Sequence, residues 1–202
     1  MAAIRRLNRL ERHLRDVAGQ LDAAGVQWAL VGGLAVSVRT EPRFTRDVDV
    51  AVAVSGEEAA EALVRSLRAG GYRVRSVLEH EPTARLATVR LLPPGEREEG
   101  IVLDLLFSSC GIEADVVAGA DRLAVMSEFL APVASVGHLV AMKLLSRDDL
   151  SRPQDAADLR ALRDVASPAD VDTARVAVEA ILAHGFDRGR PLAAAWAEWA
   201  AG

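Results

Sequence analysis

Residues 28–52 read "WALVGGLAVSVRTEPRFTRDVDVAV": two apolar runs separated by a Gly-Gly pair and a charged loop, with Asp47 and Asp49 one residue apart in the second run. Side chains alternate along a strand, so Asp47, Asp49 and Ala51 share one face and Val48, Val50 and Val52 the other. The valine face can pack against helices. The two carboxylates stand roughly 7 Å apart along the strand and repel each other unless a cation lies between them. Magnesium suits hard carboxylate oxygens and leaves room for substrate phosphates. A strand with one solvated face accounts for the pair equally well when it is taken alone.

A third acid interrupts another apolar run. In "GIVLDLLF", residues 100–107, Asp104 sits in the middle. A buried carboxylate without a partner costs several kcal/mol or neutralises itself. Asp104 therefore pairs with an arginine from a helix, or its strand lies beside the first. In the second case three carboxylates surround one or two ions, which clamp the attacking and leaving oxygens of a phosphoryl or nucleotidyl transfer. Gly32 and Gly33 precede a helical segment; glycine lets the backbone approach a ligand, and a helix N-terminus offers free N–H groups to phosphate oxygens. Any tight turn could use such a pair. Its position, with 13 residues between Gly33 and Asp47, makes it informative.

Outward from this stretch, Ile4, Leu7, Leu10, Leu14, Val17 and Leu21 recur at helical spacing and predict an amphipathic helix over 3–24. Strands are expected at 26–31 and 47–54, a short helix at 34–40, and a helix from Ser55 to the Gly70-Gly71 pair. Further strands are expected at 72–77, 85–91 and 101–107, the last two as an antiparallel hairpin with its tip at 93–100. Segments 115–117 and 122–125 read as additions to the sheet. From Ser135 onward the pattern is helical: 135–146, 153–165, 170–184 and 191–201. The expected fold is α+β: a mixed sheet flanked by helices over 1–134, then a C-terminal helical subdomain over 135–202.

With 202 residues, half of them hydrophobic, the chain has ample material for a core. A net charge of −5 excludes a chain that merely coats nucleic acid, although a local basic patch is compatible with it. The lone Cys110 excludes an internal disulfide and a cysteine-based zinc cluster, and reads as a small buried hydrophobe. The N-terminal stretch is charged throughout, unlike a signal peptide, and no apolar run is long enough to span a bilayer. The expected location is the cytoplasm, with no membrane partner. His13, His80, His138 and His184 are scattered and lack metal spacing.

An apolar residue, Gly-Gly, a spacer of this length and then Asp-apolar-Asp-apolar resembles the signature of the DNA polymerase β-like nucleotidyltransferase superfamily. Within it the chain is most similar to AbiEii/AbiGii-type toxins, the MenT-like group among them. Their acid motif, R-x-T/S-(R/K)-D-h-D, is matched by Arg43, Thr45, Arg46, Asp47 and Asp49, and their third acid by Asp104. Their inward lysine is matched by Lys143 in "VAMKLL", and the following acidic helix by Asp155 and Asp158 in "RPQDAADL", where Gln154 replaces the usual basic residue. The resemblance covers roughly residues 26–165. It implies catalytic roles for Asp47, Asp49, Asp104, Lys143 and Asp155, a metal site of Asp47, Asp49 and Asp104, and nucleotide binding by Gly32, Gly33, Thr45, Arg46 and Lys143. It also implies magnesium (or manganese) as cofactor, a nucleoside triphosphate as substrate, an RNA such as a tRNA 3′ end as acceptor, and a cognate antitoxin.

Read from the residues, Val136, Leu139, Val140 and Lys143 fall on one arc of a helix, so Lys143 faces inward; Asp155 shares a face with Leu159 and Leu162. The two can form a structural salt bridge, or Lys143 can reach phosphates with Asp155 orienting it. Thr45 and Arg46 can touch phosphates or merely solvate a loop. Ser37, a turn into the short helix, can cap it or meet a phosphate. Arg5, Arg6, Arg9, Arg12 and Arg15 give the first helix a basic surface that is either a solvated face or a guide for an RNA backbone. With aromatics at 4%, contacts to shape and phosphates are expected rather than base stacking. Other readings keep the chemistry with a small-molecule (aminoglycoside-like) or protein acceptor, or make the chain a nucleotide-binding partner without turnover.

Overall fold

The structure is a computed structural model that describes residues 2–80, 85–126, 129–148 and 153–202, without the side chains of residues 2–8 and of His80. The side chains of Ile4, Arg5, Arg6, Leu7 and His80, singled out above, lie outside the described residues. The chain runs through α1 (Ala2–Ala23), β1 (Gln27–Val31), α2 (Gly32–Arg39), β2 (Asp47–Ala53), α3 (Glu57–Ala69), β3 (Arg73–His80), β4 (Arg85–Leu92) and β5 (Val102–Leu106). It continues with α4 (Glu113–Ala118), β6 (Asp121–Met126), β7 (Phe129–Val133), α5 (Val136–Ser146), α6 (Gln154–Val165), α7 (Pro168–Ala183) and α8 (Leu192–Ala201).

The described strands form one mixed sheet in the order β3-β4-β5-β2-β1-β7-β6. β2 and β5 are parallel neighbours at its centre, with β1 antiparallel to β2 and β4 antiparallel to β5. A strand covered on both faces reads as a continuous apolar run, and "DVDVAVA" and "VLDLL" depart from that only at their aspartates. The expected hairpin is present, with Thr88, Val89, Arg90 and Leu91 paired to Leu106, Leu105, Asp104 and Leu103.

α1 buries Leu10, Leu14, Val17 and Leu21, the stripe its periodicity predicts. One continuous apolar cluster extends from α1 through the sheet to Ile181, Leu192 and Trp199 in the C-terminal helices. Ser135 caps α5 by accepting the His138 N–H, and Ser167 with Asp170 forms a capping box for α7. α5 and α7 approach closely at Gly137, where a Cβ would stand 2.4 Å from the Asp170 carbonyl oxygen. No helix among the described residues is long and apolar enough to cross a membrane.

One expectation needs correction, and one strand was not expected. Segment 115–117 belongs to the helix α4 rather than to the sheet; a six-residue helix is too short to display its period. Glu113, in its first turn, accepts the Ser109 and Cys110 N–H groups at 2.5 and 2.8 Å. Cys110 is buried there, and burial pushes its thiol pKa up. The expectation over 122–125 is realised as β6, but β7 is a strand that pattern reading passed over, because Pro132 interrupts "FLAPV". β7 tolerates proline because it joins β1 through a single register pair, Leu30 with Val133. Arg39 completes the junction: Nε donates to the Ala134 carbonyl at 2.9 Å, and Nη2 donates to the Val133 carbonyl and to Asp121, each at 2.8 Å.

Candidate active site

The parallel register of β2 and β5 sets Asp47 opposite Val102 and Asp49 opposite Asp104. Register partners on neighbouring strands project to the same face, about 4.8 Å apart. The three acids therefore share one face at the middle of the sheet, Asp47 and Asp49 half-buried and Asp104 5% exposed. On the other side of Asp104 stands its partner on β4, Arg90. Arg90 Nε donates to Asp104 Oδ1 at 2.8 Å and Nη2 donates to Oδ2 at 2.6 Å, a bidentate pair. This bond raises the guanidinium pKa; burial opposes it, and attraction to Asp104, Asp47 and Asp49 adds to it.

Asp104 thus has an arginine partner, but from the adjacent strand rather than from a helix. The pairing also changes the expected metal triad. The register aligns the three acids, yet among the described residues no three acidic, imidazole or thiol groups are gathered around one point. Arg90 draws the Asp104 oxygens toward β4. Asp47 and Asp49 are the hard-oxygen pair best suited to a divalent ion, with Asp104 and Arg90 as their neighbours.

α2 starts at Gly32 itself, not after the glycines. Gly32 has a φ of +65°, and a Cβ there would lie 2.0 Å from Asp49 Oδ2 and 2.5 Å from its Cγ. Only glycine lets the first turn of α2 lie against this carboxylate. A Cβ at Gly33 would meet Arg43 Nη2 at 2.6 Å and Thr45 Oγ1 at 3.2 Å, so the loop before β2 folds over the second glycine. Ser37 turns back into its own helix, donating to the Gly33 carbonyl at 3.0 Å.

Arg43 ties that loop to the helical part. Its Nε and Nη2 donate to Asp158 Oδ1 and Oδ2 at 2.6 and 2.7 Å. Asp158 Oδ2 also lies 2.8 Å from Lys143 Nζ, which donates to Asp155 Oδ1 at 2.7 Å. Lys143, Asp155 and Asp158 are buried, at 5%, 0% and 2% exposure. Periodicity correctly turns Lys143 and Asp155 inward, but the lysine holds two carboxylates and bears on the loop through Asp158. The cation at the surface of this chain of charges is Arg43, whose side chain is 31% exposed.

Thr45 and Arg46 border a cavity of about 640 Å³; Asp47, Asp49 and Asp104 do not line it. Arg46 lies over the Phe44 ring, 5.8 Å from its centroid. The basic helix face is partly neutralised. Arg9 forms a bidentate pair with Glu96, which also meets His13 Nε2 at 2.8 Å, and Arg15 pairs with Glu11 at 2.8 Å while covering Phe129. His138 is structural: its Nδ1 lies 2.9 Å from Ser135 Oγ.

Sequence reasoning missed Arg90, and it left Arg43 and Asp158 as motif letters without partners. Arg90 had a signal: it and Asp104 are equidistant from Arg97 in the chain, so a hairpin centred near that residue aligns them. The union of Arg43 with Asp158 spans a separation of 115 residues and has no local signal.

A family model described as "Nucleotidyl transferase AbiEii toxin, Type IV TA system" matches residues 14–200. Among solved structures, the lincosamide antibiotic adenylyltransferase LnuA with lincomycin bound is 17% identical with a TM-score of 0.50, covering 77% of this chain and 98% of that one. The solution structure of the antibiotic-resistance factor ANT(2″)-Ia is 15% identical with a TM-score of 0.51, covering 96% of this chain and 92% of that one. At these identities the likeness is one of fold. A search of curated proteins finds no match.

Proposed function

The chain belongs to the AbiEii nucleotidyl transferase toxin family of type IV toxin–antitoxin systems, and on that premise we propose that it transfers an NMP from an NTP to a hydroxyl of an RNA, a tRNA 3′ end foremost. The observation that carries this reading is the alignment of Asp49 with Asp104, with Gly32 pressed against the Asp49 carboxylate. That arrangement joins a row of acids to a helix N-terminus with no side chain in the way.

In this reading Gly32, Gly33 and the first N–H groups of α2 face the phosphate oxygens. Thr45 offers a hydroxyl beside Gly33, and Arg43, anchored by Asp158, supplies positive charge at the loop. Lys143 and Asp155 are positioning residues that hold Asp158, and through it Arg43, in place. Asp47 and Asp49 would hold magnesium or manganese, and such an ion when bound supplies charge that offsets the triphosphate and the departing pyrophosphate. The carboxylates draw off the acceptor hydroxyl proton as the oxygen bonds to the α-phosphorus and the bond from that phosphorus to pyrophosphate breaks. Arg90 keeps Asp104 in place beside Asp47 and Asp49. The family description also supports a cognate antitoxin, and NTP and RNA substrates fit a cytoplasmic site of action.

The test is incubation with magnesium, total tRNA and each α-labelled NTP in turn, beside an Asp47→Ala plus Asp49→Ala variant. Label on tRNA with one NTP, absent in the variant, is the expected result. Label appearing only on protein or on an aminoglycoside-like acceptor would replace the RNA reading, and absence of NTP binding would end the transferase reading.

A further inference from the structure

Two cavities with shared lining residues lie beyond the loop that leads into β2. The first, of about 640 Å³, begins at Thr45 and Arg46, the two residues before Asp47. The second, of about 550 Å³, is bordered by Arg12 and Arg97. Arg9, Glu99 and Gly100 line both, so the cavities form one groove that leads from the acid motif, under α1, to the tip of the β4–β5 hairpin.

The charges along this groove are unequal once the internal pairs are set aside. Arg9 is committed to Glu96, Glu11 to Arg15, and Arg43 to Asp158. Among the described residues, Arg12, Arg46 and Arg97 line the groove with no carboxylate partner, against a single unpaired acid, Glu99. The groove also holds an aromatic in an unusual setting. Phe44 is 62% exposed at its inner end with the Arg46 guanidinium over its ring, and Met126 and Val125 stand on the apolar wall. An exposed ring flanked by a cation, followed by further cations along a channel, matches the needs of a strand whose bases stack and whose backbone is anionic. It opposes a polycationic acceptor.

We propose that this groove binds a single-stranded polynucleotide with its 3′ end toward Asp47, a base stacked on Phe44 and phosphates at Arg12 and Arg97. The proposal rests on the transferase reading for the direction of the strand, but not for its occupancy. It adds a stacking platform that the low aromatic content argues against and that only the placement of one phenylalanine creates.

The test is fluorescence anisotropy with the full chain, NTP omitted, and a 5′-labelled single-stranded RNA of about 12 nucleotides, within the range of strand lengths such grooves bind. DNA of the same sequence serves as a parallel probe. Saturable binding that weakens with salt is expected. Arg12→Ala with Arg97→Ala is expected to reduce the salt slope by about 1.4, at about 0.7 per lost phosphate contact to a single strand. Phe44→Ala is expected to weaken binding roughly fivefold or more. These exposed substitutions should leave the Tm within about 2 °C, which separates loss of contact from loss of fold. Binding of RNA alone, or of RNA and DNA alike, upholds the groove and separates a 2′-hydroxyl requirement from backbone recognition. No saturable binding, or an unchanged Kd and slope in both variants, overturns it. If tRNA is labelled equally well by the wild type and by both variants, the transferase reading stands and the groove falls. If nothing is labelled but the titration behaves as expected, the transferase reading fails and the groove stands.

Discussion

Arg90 holds both carboxylate oxygens of Asp104, at 2.8 and 2.6 Å, across a strand pair in which the two are register partners. The acid is buried while the arginine side chain is 43% exposed, so the pair is unequal: Asp104 depends on Arg90 more than the reverse.

Arg90→Ala should therefore strand a buried carboxylate and cost about 2–3 kcal/mol, reduced from the fully buried case because the arginine is part-solvated. In calorimetry this corresponds to a fall in Tm of roughly 4–12 °C. Adding Asp104→Asn should recover most of the loss. An unchanged Tm for Arg90→Ala would mean that Asp104 has another sufficient partner.

Gly32→Ala and Gly33→Ala should differ sharply. At Gly32 the new methyl would collide with the Asp49 carboxylate on a backbone already at φ +65°, so binding of NTP, measured by titration calorimetry, should be lost. At Gly33 the nearest atoms are the ends of the Arg43 and Thr45 side chains, which can shift, so binding should be weakened but measurable. Equal behaviour of the two variants would contradict the packing of Gly32 on Asp49.

Lys143→Met should be severely destabilising, by about 3–5 kcal/mol, because it removes the buried cation that Asp155 and Asp158 share. A combined Lys143→Met, Asp155→Asn variant should regain much of that stability in urea denaturation without regaining transfer activity. Recovery of full activity in the double variant would show that the lysine has no positioning role.

Acid should weaken the fold in two stages. Burial holds the His138 pKa below its ordinary 6.5, against an opposing pull from Asp115. The unfolded chain therefore binds the proton first, and this contribution is complete above about 6.5 and is lost as pH falls toward the folded value. For Glu96, burial alone would raise the carboxyl, but Arg9, His13 and the Ile101 N–H outweigh it and hold it below 4.5. Its contribution is present above that value and disappears as pH falls through the lower folded one. Melting curves across pH should show that His138→Gln flattens the upper stage. Glu96→Gln should flatten the lower one and cost about 2 kcal/mol near neutrality. A His138→Gln variant with the wild-type pH profile would assign the upper stage to another group.

Much of the fold was legible because its signals are local. The stripe Leu10, Leu14, Val17, Leu21 specifies α1, and Ser135 marks the start of α5. α4 and β7 were not, the first because six residues carry too little period and the second because Pro132 argues against a strand. In the site, inward Lys143 and Asp155 followed from helical spacing, whereas the identity of the groups they meet did not.

The sequence by itself determined that Asp47 and Asp49 share a face, and that a lysine and an acid turn inward, since these follow from the 2.0 and 3.6 residue periods of a single element. The tertiary structure alone decided that β5 lies beside β2 with Asp104 level with Asp49, and that Arg43 reaches Asp158. Strand adjacency and register are set by how the whole core packs, and a slip of one residue would turn Asp104 to the opposite face. That choice is made between segments more than 50 residues apart and is written in neither of them alone.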